Sequence, residues 1–108
     1  MSKPRKPKPR KPRFGAVVLL RLYVAGRAPN SVQAIANLEA ICREHLKEHK
    51  LEVVDVLENP MRAMAEGVLV TPSLSKLAPL PAVSVVGNLS DRAKVLLALG
   101  VNAGVKAG

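Results

Sequence analysis

Few side chains in this sequence could do chemistry. Cys42 is the only cysteine, so no internal disulfide can form and no cysteine-based zinc site can be assembled. It falls among apolar residues at helical spacing and reads as a small buried hydrophobe rather than a nucleophile. His45 and His49 are four residues apart, a spacing that on a helix puts two imidazoles on one face, where they could chelate a metal. No third ligand accompanies them, and the pair reads as surface residues near a helix end. Asp55 and Asp91 have no neighbouring histidine to make an acid–base pair. No phosphate-binding loop and no glycine fingerprint is present. The expectation is a chain that is not an enzyme and needs no cofactor or metal.

Charge is the other chemical resource, and it is unevenly placed. The chain has 108 residues and a net charge of +9. Residues 1–13 hold Lys3, Arg5, Lys6, Lys8, Arg10, Lys11 and Arg13, with no acid. Pro4, Pro7, Pro9 and Pro12 interleave them. Proline removes backbone donors and like charges repel, so this segment is expected to be an extended, solvated tail. A second reading makes the same seven side chains an anchor for nucleic acid or another polyanion, since each phosphate contact releases counterions. The Gly-Arg-Pro core of a minor-groove hook is absent, and Lys-Pro-Arg is its nearest approach. The remaining residues carry ten basic and eight acidic side chains, a balance that gives no charge argument for nucleic acid.

Positioning these groups falls to one small domain. The hydrophobic content is 48%, yet Phe14 and Tyr23 are the only aromatics, so Val, Leu, Ile and Ala must fill the core. No apolar run approaches the roughly 20 residues of a membrane helix. The basic start followed by Ala16–Leu20 imitates a signal peptide, but Arg21 ends the run below the roughly 7–15 residues of an h-region. A cytoplasmic protein without membrane contact is expected.

Residues 16–24 are nearly continuously apolar and precede the breaker series Ala25-Gly26-Arg27-Ala28-Pro29, which predicts a central strand buried on both faces. Asn30 or Ser31 would cap a helix whose stripe is Val32, Ile35, Leu38, Ile41, Cys42 and Leu46. Its negative end would meet His49-Lys50. A second strand over 51–57 completes a βαβ unit with parallel strands. Asn59-Pro60 opens a short helix closed by Gly67. Residues 68–70 read as a short strand, 73–78 carry no decisive signal, 79–81 form a turn, and 82–86 form another strand. Residues 90–101 fit both periods, but Ser90 as a cap, the helix formers between Ala93 and Leu99, and Gly100 as a stop predict a helix over about 90–99. The last seven residues, rich in Gly and Ala, are expected to fray.

A βαβ start followed by Thr71-Pro72 and a strand resembles the thioredoxin fold. A redox enzyme of that fold would carry Cys-x-x-Cys after the first strand, where this chain has Gly26-Arg27-Ala28-Pro29-Asn30-Ser31. The resemblance narrows further. Leu20-Arg21-Leu22-Tyr23-Val24-Ala25-Gly26 with Pro29-Asn30-Ser31 is similar to the opening of the KaiB family of bacterial circadian clock proteins. So are Val54–Pro60, Leu69–Leu74 and Val86–Leu96, in family order, so that residues 17–100 are covered.

That resemblance implies an α/β, thioredoxin-like βαβ-αββα domain with a mixed sheet over residues 14–101, between the tail 1–13 and a flexible end 102–108. It implies a second half able to adopt the family's alternative βαββααβ arrangement, with a dimer or tetramer as the resting state. It implies docking on the ATPase ring of a KaiC-like protein, with capture of a KaiA-like protein or a sensor histidine kinase. The candidate partner-binding residues it marks are Arg21, Tyr23, Arg27, Lys76 and Arg92. Departures are visible: Gln33 stands at a basic family position, and Val83-Ser84 replace the basic pair after the proline-rich turn, which reduces the charge offered to a partner.

Overall fold

A computed structural model of the chain describes residues 17–101. The basic segment 1–13 and the end 102–108 lie outside the described residues. Seven elements follow in order: β1 (Val18–Val24), α1 (Pro29–His45), β2 (His49–Asp55), α2 (Pro60–Ala65), β3 (Ser73–Ala78), β4 (Val83–Val86) and α3 (Arg92–Leu99). The sheet order is β2-β1-β3-β4, with β1 parallel to β2, antiparallel to β3, and β3 antiparallel to β4. This is the expected thioredoxin-like βαβ-αββα domain with a mixed sheet and β1 in its interior. None of the described helices is long and apolar enough to cross a membrane.

The side chains of β1 divide between two faces because strand residues alternate. Leu20, Leu22 and Val24 point into the main core with Leu38, Ile41 and Cys42 of α1, Leu74 of β3, Val85 of β4 and Val95, Leu96 and Leu99 of α3. Leu22, Leu38 and Leu74 are fully buried. Each such side chain contributes roughly 1.5–3 kcal/mol relative to exposure. Arg21 and Tyr23 point to the opposite face, beside Glu52 and Val54 of β2.

Four local expectations change. The cap of α1 is Ala28 with Pro29 in the first turn, rather than Asn30 or Ser31. Ser31 instead lies inside the helix, buried, and its Oγ accepts a hydrogen bond from the Ala25 N–H. Val32, placed on the apolar stripe, is half exposed, and Ala34 is buried in its stead. The helix stops at His45, so His49 opens β2 and the two histidines share no helical face. Among the described residues no group of three or more His, Cys, Asp or Glu side chains is placed to hold a metal ion.

The second half holds the larger correction. Residues 68–70 are not a strand but an exposed connection, with Leu69 92% exposed. The Val68 N–H bonds back to the Ala63 carbonyl, which ties this segment to the end of α2 and away from any ladder. The strand is 73–78, which pairs with β1 from Tyr23↔Ser73 to Leu19↔Ala78. Its alternation is inverted at one step: Leu74 and Lys76 face inward and Leu77 is exposed. That inversion hides the period-two signal.

The helix expected over about 90–99 is present as α3, with Asp91 rather than Ser90 as its cap: the Asp91 carboxylate accepts from the Lys94 N–H at 3.1 Å. Gly100 ends it in the left-handed conformation, φ 79°.

Candidate functional site

Two layers meet where the carboxyl ends of β1 and β2 face α2. The lower layer is ionic. Arg62 donates through both terminal nitrogens to the two carboxylate oxygens of Glu52, each at 2.9 Å, and through Nε to Glu66 at 3.0 Å. Arg21 donates through Nε to Glu52 at 2.8 Å and lies 3.5 Å from Glu66. The Tyr23 hydroxyl donates to Glu66. Each carboxylate thus receives bonds from more than one donor, and bidentate guanidinium pairs are the stronger, more directional kind. Arg62, then Arg21, hold Glu52 well below its ordinary range, at about 2. Glu66 is lowered too, first by Tyr23 and then by Arg62. Burial, and then the bond to Glu66, push the Tyr23 phenol up.

The upper layer is apolar. Leu57, Met61, Met64, Leu69 and Val70 are large side chains left 51–92% exposed. Leu69 and Val70 line a shallow cavity of about 260 Å³ together with Val56, Pro60, Ala63, Val68 and Thr71, and Leu57, Met61 and Met64 each follow a lining residue in the chain. The sequence places them here because α2 is only six residues long: Arg62 and Ala63 face the sheet, which leaves Met61 and Met64 on its outer side. Thr71–Pro72, a cis bond, runs from this cavity into β3. Exposed apolar clusters of this kind mark interaction surfaces more often than chance placement.

Asp55, which has no partner legible in sequence, turns out to organise the rim. Its Oδ1 accepts from the Gly26 N–H at 3.0 Å and the Leu57 N–H at 2.9 Å. It thereby joins the loop after β1 to the turn after β2. Gly26 sits there at φ 54°, and a Cβ would come 3.2 Å from Leu57 Cδ1.

The five residues marked in sequence do not converge. Arg21 and Tyr23 belong to the ionic layer under α2. Arg27 is exposed in the loop after β1. Arg92 pairs with Glu44 of α1 on the other side of the sheet. Lys76 is 5% exposed on the core side of β3, next to Leu20 on β1 and Val83 on β4, so in this fold it is not offered at the surface. Sequence reading missed Arg62, Glu52 and Glu66; the Arg62–Glu66 spacing of four on a short helix was the available signal.

Reactive chemistry finds no support at this place. The loop where a thiol pair would stand presents Gly26 to Ser31, and the Ser31 hydroxyl is engaged with the backbone. Cys42 is 2% exposed in the core, and burial, with the Glu39 charge, pushes its thiol up to about 11. A neutral, enclosed thiol is a poor nucleophile.

Known proteins fit this picture. The KaiB domain family matches residues 21–101. The chain is 46% identical over 87 residues to the circadian clock oscillator protein KaiB of Rippkaea orientalis, covering 80% of this chain and 84% of that one. It is 45% identical over 85 residues to the circadian clock protein KaiB3 of Synechocystis sp., covering 78% and 83%. Among solved structures, chloroplastic thioredoxin z superposes with a TM-score of 0.67 at 21% identity, covering 78% of this chain and 76% of that one. The N-terminal domain of Synechococcus elongatus SasA superposes with a TM-score of 0.62 at 23% identity, covering 85% and 90%. These two establish the fold alone. With a family match across residues 21–101 and such identity over four-fifths of its length, the chain belongs to the KaiB family.

Proposed function

We propose that this chain is a non-enzymatic docking module that binds a KaiC-like ring ATPase and regulates its clock or stress-linked signalling. The observation that carries the reading is the exposed apolar surface of Leu57, Met61, Met64, Leu69 and Val70, beside a loop with no reactive thiol. Its relatives named as circadian clock proteins support the same reading. Arg27, exposed on the neighbouring loop, supplies a charge at the rim. The bound complex would then capture a KaiA-like protein or a sensor histidine kinase. We assign the protein to the cytoplasm and its resting state to a dimer or tetramer, with the second half rearranged in that state.

The test is co-purification with the KaiC-like ATPase of the same organism, with and without ATP. The unaltered chain should be retained with ATP, and Met61→Glu with Met64→Glu should weaken retention by at least about tenfold, since a charge buried in an interface costs more than 1.4 kcal/mol. Equal retention of the double variant would rule out this surface. No retention of the unaltered chain would rule out the partner.

A second reading has its own observation: seven of the 17 basic residues stand in residues 1–13. On it, Lys3, Arg5, Lys6, Lys8, Arg10, Lys11 and Arg13 bind nucleic acid or another polyanion. Heparin retention that disappears on deletion of those residues, and falls steeply with salt, would favour it.

A further inference from the structure

α2 is attached to the rest of the molecule in an unusual way. It has six residues, and Ala63 is its only buried one. Its two large apolar side chains, Met61 and Met64, are 76% and 75% exposed on the outer side. A helix this short has almost no stability of its own, because nucleation costs are not recovered below roughly 12–15 residues. Something must hold it, and its own apolar burial is limited to Ala63, with Val54 and Tyr23 buried on the facing side of the sheet.

What does reach from α2 to the sheet is charge. Arg62 spans to Glu52 of β2 with two bonds of 2.9 Å. Glu66, just after the helix, receives the Tyr23 hydroxyl of β1 and lies 3.5 Å from Arg21. Arg62 also bonds Glu66 at 3.0 Å and so closes a ring of contacts among three elements. Glu52 and Arg62 are 48% and 36% exposed at the side chain, so solvent and salt reach the ring. Before α2, the Asn59 N–H and side-chain amide both donate to the carbonyl of Asp55, the last residue of β2, and after it the Val68 N–H donates to Ala63 O; the chain is thus anchored at the strand end, while Arg62 and Glu66 make the side-chain contacts across the sheet face.

We propose that Arg21, Tyr23, Glu52, Arg62 and Glu66 form an ionic latch that holds α2 on the sheet, so that ionic strength sets how firmly this element is docked. Apolar burial governs the opposite face of the sheet and does not respond in this way. A surface formed in part by Met61 and Met64 is then presented by an element whose attachment can be loosened without unfolding the core. That last consequence rests on the docking reading above; the latch itself does not.

Amide hydrogen exchange on the full chain, without any partner, decides the matter. Exchange at Ala63–Glu66 is compared with exchange at Leu38–Cys42 of α1, in about 0.1 M and about 1 M NaCl, between which the screening length falls from roughly 10 to 3 Å. The α2 amides should exchange about three- to tenfold faster in high salt, and those of α1 should not change. Arg62→Ala should give the fast α2 exchange already at low salt and remove its salt dependence. Arg62→Lys, which keeps the charge but not the paired bonds, should retain part of the protection that Arg62→Ala loses. Unchanged α2 exchange across the two salts in the unaltered chain would overturn the latch, as would Arg62→Ala exchanging like the unaltered chain. The salt arm needs no variant, so a variant that fails to fold does not leave the question open.

Discussion

The two faces of one four-stranded sheet are held by different forces. On one side, Leu20, Leu22 and Val24 of β1 lie under α1 and α3 in a continuous aliphatic core. On the other, Arg21 and Tyr23 of the same strand meet a six-residue helix through hydrogen bonds and ion pairs. Adjacent residues of a single strand thus serve two regimes. Burial of aliphatic area is nondirectional and is not weakened by ionic screening, whereas half-exposed charges are directional and screened. The comparison teaches where the molecule is fixed and where it can be adjusted: its fold rests on the α1–α3 side, and its exposed apolar surface is mounted on the other.

The comparison breaks most sharply at Leu22. Its side chain is fully buried at the centre of the core, so Leu22→Ala should cost about 2–5 kcal/mol, enough to unfold much of a small domain. Urea denaturation followed by circular dichroism measures it, and a loss under 1 kcal/mol would mean the α1–α3 side is not the foundation.

A smaller effect is expected at Cys42, on the same side. Cys42→Ser places a hydroxyl in an apolar site and should cost about 1–3 kcal/mol. Because burial lifts the thiol to about 11, the native protein should resist alkylation at pH 8, and labelling should follow unfolding. Rapid labelling of the folded chain would show the core to be open there.

Acid sharpens the comparison with the least disturbance. Glu52 and Glu66 have lowered values in the folded state, so they stabilise it fully above the ordinary carboxylate value of 4.5, and this stabilisation is lost as pH falls toward about 2 for Glu52. The groups facing them are Arg21 and Tyr23 of β1 and Arg62 of α2, with Lys50 two residues before Glu52 on β2. Arg21 and Arg62 keep their charge throughout this range. Amide protection in α2 should therefore hold from pH 7 to about 5 and fall below about 4.5, ahead of α1. Loss of both together would mean the faces do not respond separately.

Local sequence was enough for much of the architecture. The run of apolar residues in β1 announced an interior strand, because only a strand buried on both faces tolerates such continuity. The βαβ unit followed from spacing, and α3 followed from propensity plus Gly100 as a stop. The KaiB family motifs were also legible, because they are runs of residue identity that can be read without the fold.

What stayed hidden has a common physical cause: it depends on residues distant in sequence. β3 escaped because Lys76 turns inward and Leu77 outward, a choice made by the neighbouring strands and not by the segment's own pattern. The same cause removed Lys76 from the surface and set Arg92 against Glu44. The latch is the clearest case. Arg21 reads as a partner-binding charge and Glu52, Arg62 and Glu66 are not singled out, and only the parallel register that sets Arg21 opposite Glu52 brings them together under α2. Sequence determined the elements of the first half and α3, the family and the absence of a thiol pair, since propensity, turn chemistry and residue identity are local properties. Tertiary structure alone decided which charges meet and which apolar side chains stay uncovered, since an ion pair or a buried face exists only once distant strands have taken their register.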